Sequence, residues 1–338
     1  MNAEEKFELI KRNTQEIVSE DELKKLLKEK KQPVVYLGTA ITGKPHIGYF
    51  VWALKLADFL KAGFKVKILL ADLHGALDNT PWEVLEKRYE YYKSIIPLMF
   101  EAIGVSTKNL EFVKGSEFQL KPEYMYDVLQ MATHNTIHDC QRAASEVVKF
   151  GDNPKLAGLI YPIMQALDEE YLKVDVQYGG IDQRKILMFA RENLPKIGYD
   201  SRIEVMTPLI PGLVGKKMSA SDPKSKIDLR DDEQTVISKI RAAECVEGDI
   251  DNGLLAFLKN VIMVVKEDKK EKFIVKRDKK YGGDLSYSKY ENIERDFKDK
   301  KLHPLDLKNA FASEINNLLK VFGKNKLKLE KLAKEAYN

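Results

Sequence analysis

Two short stretches hold the residues best suited to phosphate chemistry. One is Gly43-Lys44-Pro45-His46-Ile47-Gly48-Tyr49-Phe50, the other Lys216-Lys217-Met218-Ser219-Ala220-Ser221. The first ends a loop, Gly38 to Gly48, that leaves a β-rich run and enters a helical pattern. Gly38, Gly43 and Gly48 let backbone and ligand approach closely, and a helix N-terminus favours phosphate charge. Neither G-x-G-x-x-G nor G-x-x-x-x-G-K-[ST] occurs, so a dinucleotide fingerprint or a P-loop does not account for the loop. His46 taken alone also reads as a capping or core histidine; Pro45 before it and Gly48 after it favour a nucleotide role. Lys216, Lys217, Ser219 and Ser221 form a basic loop between strand and helix. Adjacent lysines are often only a solvated turn. A flexible lysine nevertheless suits a phosphoryl site that must open to release product, because charge develops mainly in the transition state.

A further group lies at helical spacing: Tyr161, Gln165 and Asp168, at i, i+4 and i+7. They share one helix face, which is what a pocket wall requires, although packing alone gives the same spacing.

The elements that must position these residues can be read from the chain. Residues 3–31 carry helical periodicity (Phe7, Ile10, Ile17, Leu23, Leu26, Leu27), with Ser19-Glu20-Asp21-Glu22 as a break and capping box. A strand over 34–38, a helix over about 47–62 closed by Gly63, and a strand over 66–72 make a βαβ unit. Helices are expected over 82–103 and 122–150, and strands at 110–113, up to Gly180, and over 203–208. Asp182 to Asn193 reads as a helix that Asp182 would cap. Composition shifts near 228–236, after which helices are expected at 234–245, 251–266, 289–299 and 304–321. Lys259 to Lys280 holds nine Lys/Arg against four Asp/Glu. The tail after Gly323 reads as a short helix or a fraying end. The expected architecture is α/β: an N-terminal helical segment (1–31), a Rossmann-like, doubly wound parallel-sheet catalytic domain (32–227, with inserted helices about 82–172) and an all-α C-terminal domain (228–338).

The chain has 338 residues, ample for two domains with a buried core. Hydrophobic residues make up 44% and charged ones 32%, which are globular values. The net charge of +4 is compatible with RNA binding only if positive charge is clustered. Cys140 and Cys245 cannot form a Cys-rich zinc site, no metal ligands are assigned, and two thiols in a chain this size suggest a reducing compartment. The charged N-terminus has no apolar signal region, and no window approaches ~18 uninterrupted apolar residues. A cytoplasmic protein without a membrane partner is expected.

The two phosphate-type stretches, in this order on one α/β pattern, resemble the ATP-handling signatures of class I aminoacyl-tRNA synthetases. Tyr36-Leu37-Gly38, Ala71-Asp72-Leu73-His74, Tyr161-Pro162-Ile163-Met164-Gln165-Ala166-Leu167-Asp168 and Gly179-Gly180-Ile181-Asp182-Gln183-Arg184-Lys185 look like the pocket motifs of tyrosyl-tRNA synthetases. The archaeal and eukaryotic type is indicated by Gly-Ile-Asp-Gln-Arg-Lys-Ile and by His303-Pro304-Leu305-Asp306-Leu307-Lys308-Asn309. The resemblance covers about residues 5–322. It departs from the usual motifs at Tyr49, in place of a second histidine, and at Ala220, in place of a second lysine. That leaves Lys217, Lys216 and a bound cation as candidates to neutralise the pyrophosphate.

The resemblance implies a tyrosine–tRNA ligase that forms tyrosyl-adenylate from L-tyrosine and ATP, with Mg²⁺, and then esterifies the 3′ end of tRNA(Tyr). Tyr36 and Asp168 would meet the phenolic oxygen, while Tyr161, Gln165 and Gln183 would hold the α-ammonium and orient the substrate. His74 would only line the floor. Gly38, Gly48 and Asp182 would hold adenosine; His46, Lys217, Ser219 and Ser221 would act on the phosphates. Tyr281, His303 and Asp306 would read the anticodon, and Arg184 and Lys185 would touch the acceptor stem. A symmetric homodimer is implied, with the apolar helix around Tyr126 to Met131 permitting it, and a minimal form lacking an appended RNA-binding module. The alternatives are a tryptophanyl-tRNA synthetase, a non-catalytic synthetase-like RNA-binding protein and a small-molecule nucleotidyltransferase.

Overall fold

A computed structural model describes the chain except for Lys149, Lys216, Lys217, Ser219, Ala220, Ser221 and Asn338. Its centre is a sheet of β1 (Glu16–Val18), β2 (Val34–Ala40), β3 (Lys65–Ala71), β4 (Leu110–Lys114), β5 (Val176–Gly180) and β6 (Ile203–Thr207). The strand order is β1-β6-β5-β2-β3-β4. β2 to β6 run parallel, while β1 pairs antiparallel with β6. The chain builds outward from β2 to β4, then returns to the other side of β2 for β5 and β6. The strand order therefore reverses between β2 and β5, and a crevice opens there at the carboxyl ends.

Helices cover the sheet: α1 (Ala3–Lys11), α2 (Glu20–Glu29), α3 (Tyr49–Lys61), α4 (Asp72–Leu77), α5 (Leu85–Ile103), α6 (Ser116–Gln119), α7 (Pro122–Thr133), α8 (Ile137–Ala144), α9 (Leu156–Tyr171) and α10 (Arg184–Asn193). The parallel strands read as runs of Val, Ile and Leu because both faces are covered; in β3, Val66, Ile68, Leu69, Leu70 and Ala71 are all buried. Gly63 follows α3 with φ +91°, the left-handed position expected of it.

Beyond β6 come α11 (Glu233–Ala242), α12 (Gly253–Phe257), α13 (Met263–Asp268), α14 (Tyr290–Lys298), α15 (Pro304–Lys324) and α16 (Lys326–Tyr337). This part is helical, as expected, but two short strands, β7 (Phe273–Val275) and β8 (Leu285–Tyr287), pair antiparallel within it. The tail forms α16 rather than fraying, because Leu329, Ala333 and Ala336 bury one of its faces.

Three expectations change in detail. The N-terminal helical reading fails at Glu16–Val18, which forms β1: Asn13 turns left-handed (φ +53°), and β-branched Ile17 and Val18 find the open edge of β6. The pattern over 122–150 splits into α7 and α8 and leaves helical form after Ala144. The helix expected from 47 begins at Tyr49, because His46 bridges to Asp228 and the amide of Ile47 bonds to the Ile227 carbonyl (3.0 Å).

One apolar core runs from Phe7 and Ile10 through Phe50, Phe59 and Phe100 to Phe311, Phe322, Leu329 and Ala336. Phe50 of α3 meets Phe322 of α15 edge-on at 6.4 Å. A charged tie reinforces it, since the Arg12 guanidinium bonds both Asp58 of α3 (Nε, 3.0 Å) and Asp268 of α13 (Nη1, 2.7 Å).

Candidate active site

Two adjoining cavities, of about 270 and 390 Å³, occupy the crevice at the carboxyl ends of β2, β5 and β6. Gly38, Thr39, Thr42, Asp182 and Gln183 line both, so a ligand in one meets a ligand in the other across this strip.

The smaller cavity gathers Tyr36 from β2, His74 from α4, and Tyr161, Gln165 and Asp168 from one face of α9. Asp168 is 1% exposed. Its Oδ1 accepts hydrogen bonds from Gln119 Nε2 (2.7 Å) and Tyr124 Oη (2.8 Å). Burial pushes its carboxyl up to about 8, with those two bonds opposing the shift. The Tyr36 hydroxyl donates to the Gln165 carbonyl at 3.3 Å, a long bond, and burial beside Asp168 raises its pKa. Gln165 Nε2 donates to Gln183 Oε1 (3.3 Å). The Tyr161 ring stands edge-on to His74 at 4.6 Å.

His74 does more than line a floor. The Gln119 amide lies 3.4 Å from its Nδ1, and an amide N–H can only donate, so Nδ1 accepts and Nε2 carries the proton. Burial holds the ring neutral, with its pKa down at about 4. Gln119 and Tyr124, which fix Asp168, escaped the sequence reading. They sit on α6 and α7, far from α9 in the chain, and no spacing rule links them.

His46, Gly48, Trp52, Thr207 and Met218 line the larger cavity. His46 Nδ1 accepts from the Gly48 amide (3.2 Å), which leaves the Nε2 proton for a ligand. Burial, then Lys226, lowers its pKa to about 4, so it acts as a neutral donor. A Cβ on Gly48 would lie 2.9 Å from His46 Cε1 and 3.1 Å from Met218 Sδ; glycine is what lets the two signature stretches touch. The amides of Tyr49, Phe50 and Val51 already bond the carbonyls of His46, Ile47 and Gly48. Any pull of α3 on phosphate therefore comes from its dipole rather than from open N–H groups. Lys217, Ser219 and Ser221, with Lys216 and Ala220, lie outside the described residues.

Asp182 sits on a single 3₁₀ turn, Ile181–Gln183, and neither that turn nor α10 is capped by a side chain, contrary to the capping expectation. Gly180 gives its carboxylate room, since a Cβ there would lie 2.6 Å from Asp182 Oδ1.

The five residues expected to touch RNA are not in this crevice. Tyr281 is 64% exposed, before Gly282 (φ +93°) and Gly283 (φ +75°), with Lys280 Nζ 4.8 Å over its ring. His303 caps α15 through Nδ1, which accepts from the Leu305 amide (3.1 Å), and Asp306 lies in the first turn. Arg184 makes two bonds to Glu16 (2.7 and 2.9 Å), and Lys185 bonds Glu146 (2.7 Å) and Ser145 (2.9 Å). These two must exchange partners before meeting a phosphate. Among the described residues no cluster of His, Cys, Asp or Glu could hold a metal, and no helix is long and apolar enough to cross a membrane.

A doubly wound sheet with paired pockets and a histidine–glycine loop at its switch point is what the resemblance to class I aminoacyl-tRNA synthetases implies. The model for class I tRNA synthetases (W and Y) matches residues 28–320, and the chain belongs to that family. It is 48% identical over 339 residues to the cytoplasmic tyrosine–tRNA ligase of Gallus gallus, covering 99% of this chain and 63% of that protein. It is 44% identical to the tyrosine–tRNA ligase of Haloarcula marismortui, covering 100% and 98%. It superposes on a tyrosyl-tRNA synthetase of Archaeoglobus fulgidus complexed with L-tyrosine with a TM-score of 0.89, at 40% identity, covering 96% and 100%. The chain thus spans less than two thirds of the vertebrate relatives it matches and nearly all of the archaeal one.

Proposed function

We propose that this chain is a tyrosine–tRNA ligase. It joins L-tyrosine to ATP as tyrosyl-adenylate, releasing pyrophosphate, and then passes tyrosyl to the 3′ end of tRNA(Tyr). The observation that carries the reading is the buried Asp168 carboxyl opening on the same cavity as the Tyr36 hydroxyl. A phenol entering there donates to Asp168 and accepts from Tyr36, which gives up its long bond to Gln165. Phenylalanine offers neither bond, so Tyr36 keeps only its long bond to Gln165 and the Asp168 carboxyl gains no further donor in a dry site, and that is what rejects it. An indole N–H supplies a donor for Asp168 but no acceptor for Tyr36, so the tryptophan reading is weaker.

Tyr161, Gln165 and Gln183 hold the α-ammonium, which points the carboxylate at the strip shared by the two cavities. Gly38 and Gly48 give adenosine room, and Asp182 meets the ribose hydroxyls. The tyrosine carboxylate is ionised at neutral pH, so activation needs alignment and charge stabilisation rather than a base. His46 donates its Nε2 proton to the phosphates, and Lys217, with Ser219 and Ser221, neutralises the departing pyrophosphate. Mg²⁺ bound to the ATP phosphates would supply further positive charge there. Tyr281, His303 and Asp306 contact the anticodon, and Arg184 and Lys185 the acceptor stem. The exposed Met125, Tyr126 and Leu129 of α7 form the interface of a homodimer. The cytoplasm supplies all three substrates.

The test is ATP–pyrophosphate exchange with each of the twenty amino acids, without tRNA. Exchange driven by tyrosine alone upholds the reading. Exchange driven by tryptophan overturns the pocket assignment, and none with a folded, ATP-binding sample overturns catalysis.

A further inference from the structure

The loop that delivers His46 is held from behind by the last helix of the chain. Three successive carbonyls of that loop, those of Ile41, Thr42 and Gly43, accept from side chains outside it. Arg88 of α5 donates through Nη1 to Thr42 and, at 3.3 Å, to Ile41, and through Nε to the Ala336 carbonyl of α16 at 3.2 Å. The Gly43 carbonyl accepts from the Tyr337 hydroxyl of α16 at 2.8 Å, and also from the Tyr92 hydroxyl of α5. Tyr92 spends its one proton on Gly43, so the Tyr49 hydroxyl, 3.3 Å away, donates to Tyr92. Tyr49 lines the larger cavity, with its ring edge-on to His46 at 5.1 Å. A continuous chain of contacts thus leads from Tyr337 through Gly43 and Tyr92 to Tyr49 and His46.

The Tyr337 ring is fixed as well as its hydroxyl. Arg88 lies 4.7 Å and Lys44 Nζ 5.3 Å from its centroid, and the Tyr91 ring stands edge-on at 5.7 Å. Lys44 belongs to the nucleotide loop itself, so α16 grips that loop by backbone and by side chain. Gly43 lies between Thr42, which lines both cavities, and Pro45, whose ring restricts the backbone before it. Without the bond from Tyr337 the Gly43 carbonyl keeps a single donor, and Lys44 loses the ring it rests on.

We propose that Tyr337 is a positioning residue for the nucleotide half of the catalytic site: it holds the Gly43 carbonyl and thereby sets where His46 meets the ATP phosphates. Its influence falls on ATP and spares tyrosine, because α16 packs on α5, α15 and the turn Trp82–Val84, whereas Asp168, Gln165 and Tyr161 lie on α9. The effect on rates rests on the ligase reading above, whereas the effect on the loop does not.

Two measurements on the full chain separate these. In ATP–pyrophosphate exchange with tyrosine, Tyr337→Phe keeps the ring and loses one hydrogen bond, and the KM for ATP is expected to rise roughly three- to tenfold while the KM for tyrosine stays unchanged. Tyr337→Ala, which loses the ring as well, is expected to raise it further. In hydrogen exchange without any substrate, amides of Ile41 to Tyr49 are expected to exchange faster in Tyr337→Ala while those of α9 do not. Loop exchange and ATP KM both unchanged would overturn the proposal, as would equal rises of the two KM values. Faster loop exchange in a chain with no pyrophosphate exchange at all would uphold the clamp and overturn the ligase reading.

Discussion

His74 Nε2 lies 3.9 Å from Asp168 Oδ2, too far for a hydrogen bond, and is bonded to no side chain although it is buried. A donor and an acceptor thus stand on either side of a small gap in the wall of the tyrosine-sized cavity, with Gln119 bracing both from behind. The gap suits an incoming hydroxyl better than a methyl group, since a polar atom there can meet the buried His74 N–H and the Asp168 carboxyl together.

Replacement of Asp168 by Asn keeps the shape of that wall and removes its strongest acceptor. Asp168→Asn is expected to lower kcat/KM for tyrosine in pyrophosphate exchange roughly ten- to a hundredfold, with exchange driven by phenylalanine little changed. Undiminished discrimination between the two amino acids would remove Asp168 from the role.

On the ligase reading, the same carboxyl is expected to make tyrosine binding depend on pH. Its pKa in the empty pocket is about 8 against an ordinary 3.8, so at pH 6 to 7 it holds a proton that a phenol donor must displace. Affinity for tyrosine is expected to rise with pH up to about 8 and then level off, and Asp168→Asn to flatten this dependence. The stability contribution has the opposite sign. A raised carboxyl favours the folded state fully below 3.8, and that benefit is lost as pH rises through about 8. The melting-temperature advantage of Asp168→Asn over the parent should therefore widen between pH 5 and pH 8.

Gly48→Ala forces a methyl against the His46 ring and Met218, from opposite signature stretches. The expected outcome is a loss of about 1–3 kcal/mol in folding stability, read by denaturant unfolding, together with a higher KM for ATP. A variant with parental ATP kinetics would show that the contact between the stretches is dispensable.

RNA recognition separates cleanly from activation if the exposed Tyr281 stacks on a base. Tyr281→Ala is expected to leave tyrosine-dependent pyrophosphate exchange intact while lowering kcat/KM for tRNA charging about fivefold to a hundredfold. Equal loss in both assays would mark it as structural.

Introducing a charge on α7 should break the homodimer proposed above. Leu129→Glu is expected to shift the sedimentation of the chain from dimer to monomer, and an unshifted boundary would move the interface elsewhere.

How much of this was legible in the chain depends on how far apart the cooperating residues lie. The Val34-to-Asp72 unit was plain because its strands and helix are adjacent and its periodicities clean. The face formed by Tyr161, Gln165 and Asp168 was equally plain, being one helix. β1 was missed because a three-residue strand has no period of its own; it exists only because β6 offers an edge. Gln119 and Tyr124 were missed because a hydrogen bond across more than forty residues leaves no mark on local spacing. That His303 caps α15 through Nδ1 is likewise invisible in the spacing, because it needs atomic positions.

The apolar core takes in Phe50 of α3 and Phe322 near the chain's end alike, and Arg12 ties Asp58 to Asp268 across the same junction. The change of composition near residue 228 is therefore a border in vocabulary rather than in mechanics. Cutting the polypeptide there would open a wound in both fragments, and neither should be treated as an independent module. Heat should melt the whole as one cooperative body, so damage to the C-terminal helices would be felt in the cavity around Asp168.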